Sequence, residues 1–124
     1  MRASILIFIG SGLGGVVRHL LNDWITRISA TPLPVGILLI NISGSLAMGL
    51  LAGWFAFKGA APQDVRLFLT TGVISGYTTF SAFSLDAVLL AERGEVASAT
   101  AYVAVSVVLS IAAVMMGLAV IKTL

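Results

Sequence analysis

Four long apolar stretches constrain this chain more than any other feature. A helix needs roughly 20 mostly apolar residues to cross a bilayer, and such stretches run approximately over residues 3–21, 33–57, 66–91 and 96–121. Of the 124 residues, 59% are hydrophobic and only 10% are charged, whereas about 25% of residues are charged in an average soluble domain. The sequence therefore predicts one all-α integral membrane domain over residues 1–124, with four transmembrane helices.

The third stretch contains a segment that does not suit an ordinary membrane helix, Gly72-Val-Ile-Ser-Gly-Tyr-Thr-Thr-Phe-Ser-Ala-Phe-Ser84. Glycines and hydroxyl side chains are concentrated there. Backbone that lacks full helical pairing persists at membrane depth only where it is buried in protein or lines a polar path. We therefore predict a broken third helix at the centre of a permeation or binding site.

Composition excludes several functional classes. The net charge of +2 is too small and too scattered to indicate nucleic-acid binding, and the absence of cysteine excludes disulfides, thiolate chemistry and cysteine metal sites. His19 is the only histidine. The first, second and fourth stretches contain no deep carboxylate, which a proton-coupled exchanger would use for titration. No catalytic set is present, so we predict that the chain is not an enzyme. The apolar N-terminus is interpreted as a retained first helix rather than a signal peptide.

The positive charges are nearly balanced between the two sides of the predicted bundle. A clear Lys/Arg excess on the cytoplasmic side normally sets orientation, so a 4 to 3 split predicts insertion in both orientations and an antiparallel homodimer. Alternatively, Arg18 lies inside the membrane and should not be counted. The two groups are Arg2, Lys58, Arg66 and Lys122 on one side, and Arg18, Arg27 and Arg93 on the other.

Small residues recur at a spacing of four in the first two helices. This spacing places them on one helix face, where they let backbones approach closely. Packing within the chain and packing against a second subunit both remain open. The residues are Gly10 and Gly14, Ser11 and Gly15, and Ser45, Gly49 and Gly53.

Two polar residues in apolar surroundings are candidate pathway residues. Asn41 lies in the middle of the second stretch, where a side-chain amide is costly unless it is partnered. Its amide could donate to an anion or make an interhelical hydrogen bond. Arg18 could extend to the interface or line an anion-attracting vestibule.

Hydroxyl and aromatic side chains supply the other candidates. Tyr102, Ser106 and Ser110 fall four apart and form one polar stripe on the fourth helix, although serines in membrane helices often donate to their own i−4 carbonyl. Phe80 and Phe83 share one side of a helical segment. They could be core packing, or they could present their positive ring edges to an anion.

Taken together, these motifs resemble those of the CrcB/Fluc fluoride channel family over nearly the whole length of the chain. The resemblance depends on Gly12-Leu-Gly-Gly-Val-Val-Arg18, on Gly36-Ile-Leu-Leu-Ile-Asn41-Ile-Ser-Gly44-Ser45, and on the Thr-Thr-Phe-Ser-x-Phe signature within the third stretch. The third motif, with an Asn-x-x-Gly-Ser motif upstream and this chain length, is highly specific.

The resemblance implies a passive, fluoride-selective channel that exports cytoplasmic fluoride and relieves its toxicity. It implies an antiparallel dimer with two pores in the lipid of the bacterial inner membrane. A structural sodium ion would be held at the dimer interface by the backbone carbonyls of Ser75 and Thr78. Arg18 would lie near a vestibule. The fluoride pore would be lined by Asn41, Phe80, Phe83, Thr79, Ser81, Tyr102, Ser106 and Ser110.

Three positions depart from the family's usual residues, namely Ser75, His19 and Ile37. Ser75 replaces a common glycine, and a positive φ there would cost a serine more than a glycine. Two other functions remain as alternatives. A small multidrug exporter would need a glutamate in its first helix, which this sequence lacks, and a membrane assembly protein would show no anion flux.

Overall fold

The computed structural model describes residues 1–124, and all its regular elements are helical. Four segments are long and apolar enough to cross a membrane: Arg2–Ser29, Val35–Phe57, Gln63–Glu92 and Val96–Thr123. The prediction of an all-helical chain with four membrane-length segments is confirmed. We call the first two α1 and α2, and the last α6.

Helix α1 is longer than the sequence predicted, because it continues eight residues beyond residue 21 to Ser29. Its last turns are polar, and Arg27 pairs with Asp23 one turn earlier at 2.8 Å, a spacing that supports an exposed helix end. Ala30 then adopts a left-handed conformation at φ 47° and ends the helix. At 1.5 Å per residue α1 is about 42 Å long, so its end extends beyond a hydrocarbon core of about 30 Å.

The third membrane segment is assembled from several pieces. It begins with the short helix α3, Gln63–Arg66, and continues as a π-helical stretch, Leu67–Ile74, and the single turn α4, Ser75–Tyr77. Thr78 and Thr79 are extended, with φ/ψ of −80°/157° and −153°/119°. Helix α5, Phe80–Glu92, completes the segment.

Helix α1 packs on this third segment backbone to backbone. A Cβ on Gly10 would lie 2.9 Å from the Cα of Gly72, and a Cβ on Gly14 would lie 2.7 Å from the amide nitrogen of Tyr77. From the other side, a Cβ on Gly76 would lie 2.7 Å from the Cα of Ser11. Glycine is therefore required on both faces of this contact, as in small-xxx-small packing.

Helices α2 and α6 form the second close pair. A Cβ on Gly49 would meet the Val114 backbone, and one on Gly117 would lie 2.7 Å from the Leu46 carbonyl oxygen. The small-residue faces of both early helices thus pack inside the chain, so the open question from the sequence is answered for Gly10, Gly14 and Gly49 in favour of intramolecular packing.

An ion pair and a cavity mark the two ends of the bundle. Arg2 lies 3.0 Å from Asp64 and joins the start of α1 to the start of the third segment. At the opposite end, a cavity is shared by Thr26 near the end of α1 and by Glu92 and Arg93 after α5. This arrangement agrees with the opposite sides that the sequence analysis assigns to Arg2 and Arg93.

Candidate functional site

Of the two extended residues Thr78 and Thr79, the second is held by the side chain of Asn41 from α2. The Asn41 Oδ1 accepts the Thr79 N–H at 2.8 Å, and the Asn41 Nδ2 donates to the Thr79 carbonyl at 3.0 Å. Only this amide orientation satisfies both contacts. Of the two sequence alternatives, the structure shows the interhelical hydrogen bond. The second hydrogen on Nδ2 remains available, and Asn41 also lines a cavity.

Arg18 approaches the same two-residue segment from α1. Its Nη1 donates to the Thr78 carbonyl at 3.1 Å. The guanidinium therefore lies against the third segment at the extended pair. Thr78 is the sixteenth residue of the 30-residue segment that starts at Gln63, so the charge is placed near the middle of that segment.

The hydroxyl of Thr79 caps the helix that follows. Its Oγ1 accepts the N–H of Ala82 at 3.2 Å, the usual role of threonine at a helix N-cap. The Ser81 hydroxyl lies 3.2 Å from the same oxygen. Thr79 thus has its N–H, carbonyl and hydroxyl all partnered, and Ser81 joins the site through it.

A cavity of about 380 Å³ opens beside the extended pair, and we call it the Asn41 cavity. It brings together six of the eight pore residues expected from the family resemblance. Tyr102 and Ser81 are not among its lining residues. The predicted residues that line it are Asn41, Thr79, Phe80, Phe83, Ser106 and Ser110.

Ser106 presents an unpartnered hydroxyl in this cavity. The residue is 5% exposed, and its Oγ has no hydrogen-bond partner. Serines and threonines elsewhere in the chain donate to a carbonyl four residues earlier, as Ser84 does to Phe80 and Thr100 does to Val96. Ser106 does not, so the back-bonding alternative fails for it. A buried hydroxyl without a partner is costly unless it serves a ligand.

Three aromatic rings continue from the cavity in a row. The Phe80 and Phe83 centroids are 5.4 Å apart, and so are those of Phe83 and Tyr102. Phe83 is 7% exposed, whereas Phe80 is 77% exposed in the single chain. The Tyr102 hydroxyl donates to Asp86 Oδ2 at 3.4 Å. Tyr102 therefore belongs to the same array, although it lies beyond the Asn41 cavity.

Asp86 opens onto a second cavity of about 550 Å³ at the end of the bundle where α1 ends. Asn22, Asp86 and Arg93 are among its polar lining residues. The Phe83–Tyr102 pair thus lies between the two cavities, because Phe83 lines the first and Tyr102 is bonded to a residue that lines the second.

Two contributors were missed from the sequence. Ser45 lines the Asn41 cavity, and its spacing of four from Asn41 on α2 was a usable signal. Asp86 accepts the Tyr102 hydroxyl, because α5 and α6 are joined by a short turn and lie side by side.

Ser75 is accommodated without backbone strain. Its φ is −67°, so the residue does not need the left-handed conformation that favours glycine. Its hydroxyl donates to the Thr70 carbonyl at 2.9 Å. The departure from the family's usual glycine therefore leaves the backbone geometry of this turn intact.

Four membrane-length helical segments, with a cavity that carries a few polar side chains beside the third of them, define a multi-pass membrane protein. The family model described as "CrcB-like protein, Camphor Resistance (CrcB)" matches residues 5–118, and the chain belongs to this family.

Curated relatives match over almost their whole length. One from Rhodopseudomonas palustris (strain BisB5), named "Fluoride-specific ion channel FluC", is 55% identical, with 97% of each chain covered. One of the same name from Methylobacterium nodulans is 53% identical, with 98% of each covered. These names describe ion channels, in agreement with the prediction that the chain is not an enzyme.

Proposed function

We propose that this protein is a passive, fluoride-selective anion channel that releases cytoplasmic fluoride down its gradient. The observation that carries the proposal is the Asn41 cavity, where a buried, unpartnered Ser106 hydroxyl and a spare N–H of the partly buried Asn41 lie beside two phenylalanine rings. The similarity to relatives named fluoride-specific ion channels supports it.

The proposed path uses neutral donors instead of fixed cations. Hydroxyl groups, an amide N–H and the positive ring edges of Phe80 and Phe83 can replace part of an anion's water shell. Conduction needs binding that is favourable enough for entry and weak enough for exit. Together with Thr79, Ser81, Tyr102 and Ser110, these groups form the proposed pore.

The proposed driving force is the fluoride gradient alone. Hydrogen fluoride enters as the neutral acid and dissociates in the less acidic cytoplasm, where the anion accumulates. Passive release then relieves toxicity without an energy source. The first, second and fourth segments carry no deep carboxylate that could couple transport to protons.

We propose that the extended pair Thr78–Thr79 is the functional break of the third membrane helix.

We also propose that two chains assemble as an antiparallel dimer with two pores in the bacterial inner membrane. The 4 to 3 charge split supports dual topology. If Arg18 is left out because its guanidinium lies on Thr78, the split becomes 4 to 2. Reporters fused to the C-terminus would measure both orientations directly.

We propose that the carbonyls of Ser75 and Thr78 hold a structural sodium ion at the dimer interface. Carbonyl oxygens are suitable ligands for such a cation. In an unbroken helix these carbonyls would accept the N–H groups of Thr79 and Ala82, but those donate to Asn41 and to the Thr79 hydroxyl instead. Both oxygens are thereby released from helical pairing. When bound, the ion would supply a fixed positive charge that links the two chains.

Fluoride efflux from liposomes tests the channel function. Purified protein is reconstituted into vesicles loaded with potassium fluoride or potassium chloride, and release is started with a potassium ionophore. Fluoride should leave rapidly and chloride should be retained. No fluoride release from folded protein, or equal release of both anions, would contradict a selective channel.

Ser106→Ala tests whether the buried hydroxyl serves the anion. We expect fluoride efflux to fall about tenfold, the effect of losing about 1.4 kcal/mol of interaction. The melting temperature should stay constant or rise, because an unpartnered buried hydroxyl is removed.

Thr100→Val is the matched control for this variant. Thr100 lies on the same helix, and its exposed hydroxyl only donates back to Val96. Unchanged efflux in Ser106→Ala would show that the serine has only a packing role.

A further inference from the structure

Three consecutive residues of the third segment, Tyr77, Thr78 and Thr79, lie against one turn of α2. Asn41 forms both of its hydrogen bonds with Thr79. Three residues further along α2, a Cβ on Gly44 would lie 3.0 Å from Tyr77 Cδ1 and would collide with the Cγ2 atom of Thr78. The absence of a side chain at Gly44 therefore lets the Tyr77 ring cross the backbone of α2.

The hydroxyl of Tyr77 reaches Ser43 on the same turn of α2. The two hydroxyl oxygens are 2.9 Å apart, and the Ser43 hydroxyl also donates to the Ile40 carbonyl at 3.1 Å. A serine hydroxyl carries a single hydrogen, so both bonds form together only when Tyr77 donates and Ser43 accepts. Two linked hydrogen bonds thus join the last residue of α4 to the backbone of α2, one residue before Asn41.

Asn41 and Ser43 hold α2 from different sides. Residues two apart on an α-helix lie about 160° apart around its axis. A rotation of α2 that withdrew Asn41 from Thr79 would therefore also displace Ser43. The bond between Ser43 and Tyr77 opposes such a rotation. Groups that bind a ligand keep their geometry when a second set of contacts supports them in this way.

We propose that the hydrogen bond from Tyr77 to Ser43 fixes the rotation of α2 against the break of the third segment. Asn41 thereby keeps both of its bonds to Thr79 and directs its spare N–H at the anion path. Tyr77 and Ser43 are positioning residues, because neither lines the Asn41 cavity. The consequence for conduction rests on the channel function proposed above, whereas the positioning of Thr79 does not.

The two hydroxyls should differ in the effect of their removal on fluoride efflux from liposomes. Ser43→Ala leaves the Tyr77 hydrogen without an acceptor, and lipid offers none, so the ring must move. Tyr77→Phe leaves Ser43 still donating to Ile40. We expect efflux to fall about tenfold in Ser43→Ala and about threefold in Tyr77→Phe. The double variant should match Tyr77→Phe, because it leaves no donor unpaired.

This rescue of Ser43→Ala by Tyr77→Phe distinguishes a shared bond from two independent side chains. The variants are compared at a temperature at which all of them are folded. Normal efflux in Ser43→Ala would overturn the proposal. Losses that simply multiply in the double variant would also overturn it, since residues joined by one bond do not act additively.

Amide hydrogen exchange at Thr79 tests the positioning without measuring fluoride. The Thr79 N–H donates to Asn41 at 2.8 Å, so its exchange reports on that bond. Deuterium uptake of peptide fragments that contain Thr79 is followed by mass spectrometry in detergent. Exchange of this amide should be at least about threefold faster in Ser43→Ala than in wild type. Unchanged exchange would overturn the proposal, whether or not the protein conducts fluoride.

Thr70→Val is the matched control. It removes a hydroxyl from the same membrane segment and keeps a β-branched side chain, but the Thr70 hydroxyl donates to the Arg66 carbonyl one turn earlier. Its efflux and its Thr79 exchange should equal those of wild type. Losses as large as those of Ser43→Ala would overturn the proposal, because the effect would then not be particular to the contact with α2.

Discussion

Asn41→Asp should reduce fluoride efflux about a hundredfold or more, since a carboxylate about 4 Å from the path repels an anion by about 4 kcal/mol at an effective dielectric constant of 20. The substitution preserves side-chain shape. The aspartate can still accept the Thr79 N–H, but it cannot donate to the Thr79 carbonyl, which now receives a hydrogen bond at 3.0 Å. Two oxygens would face each other there, at a cost of about 1–3 kcal/mol in folding stability.

The efflux assay with thermal melting separates these two effects. Gln63→Glu is the control, because it makes the same amide-to-carboxylate change on an exposed residue that opens α3. Its efflux should match wild type. If Asn41→Asp conducted normally, Asn41 would not face the anion, and the amide would act only on the Thr79 backbone.

Gly14→Ala should prevent stable packing of α1 on the third segment. The new Cβ would lie 2.7 Å from the Tyr77 amide nitrogen and 3.0 Å from the Gly76 carbonyl carbon. These are backbone atoms, so no rotamer change can relieve the contact. Overpacking typically costs 1–3 kcal/mol, occasionally more, and we expect about 3 kcal/mol or more here. The melting temperature in detergent should fall sharply, or the variant should aggregate.

Gly12→Ala on the same helix provides the matched control. A Cβ on Gly12 would have no atom within 4 Å, so only helix propensity changes, with a gain of up to about 1 kcal/mol. Its melting temperature should be unchanged or higher. A Gly14→Ala protein as stable as Gly12→Ala would mean that the two backbones lie farther apart than the structure places them.

Hydropathy was sufficient to predict four membrane segments, because their length is set by the bilayer. It could not predict the end of α1, where Arg27 and Asp23 continue the helix outside the apolar stretch. The stretch Leu67–Ile74 is apolar like its neighbours, and hydropathy gives no sign that it is π-helical rather than α-helical. Its i−5 pairing, seen between the Ser75 N–H and the Thr70 carbonyl, depends on neighbouring backbone rather than on a residue pattern.

The candidate site was partly predictable for a similar reason. An amide in the middle of an apolar stretch must have a partner, so Asn41 could be singled out, but which partner it takes depends on how α2 meets the third segment. The Tyr102 stripe was visible from its spacing. The bond from Tyr102 to Asp86 was not, because their positions at facing points of α5 and α6 become clear only when the turn between these helices is known.

The pairing of Asn41 with Thr79 also explains how so short a chain can present non-helical backbone in a bilayer. The amide meets both the N–H and the carbonyl of one residue, as an adjacent β-strand would. Lipid offers no such partners, so extended backbone at this depth otherwise needs surrounding protein. Here one side chain supplies both backbone hydrogen bonds of Thr79, and Arg18 supplies one for Thr78.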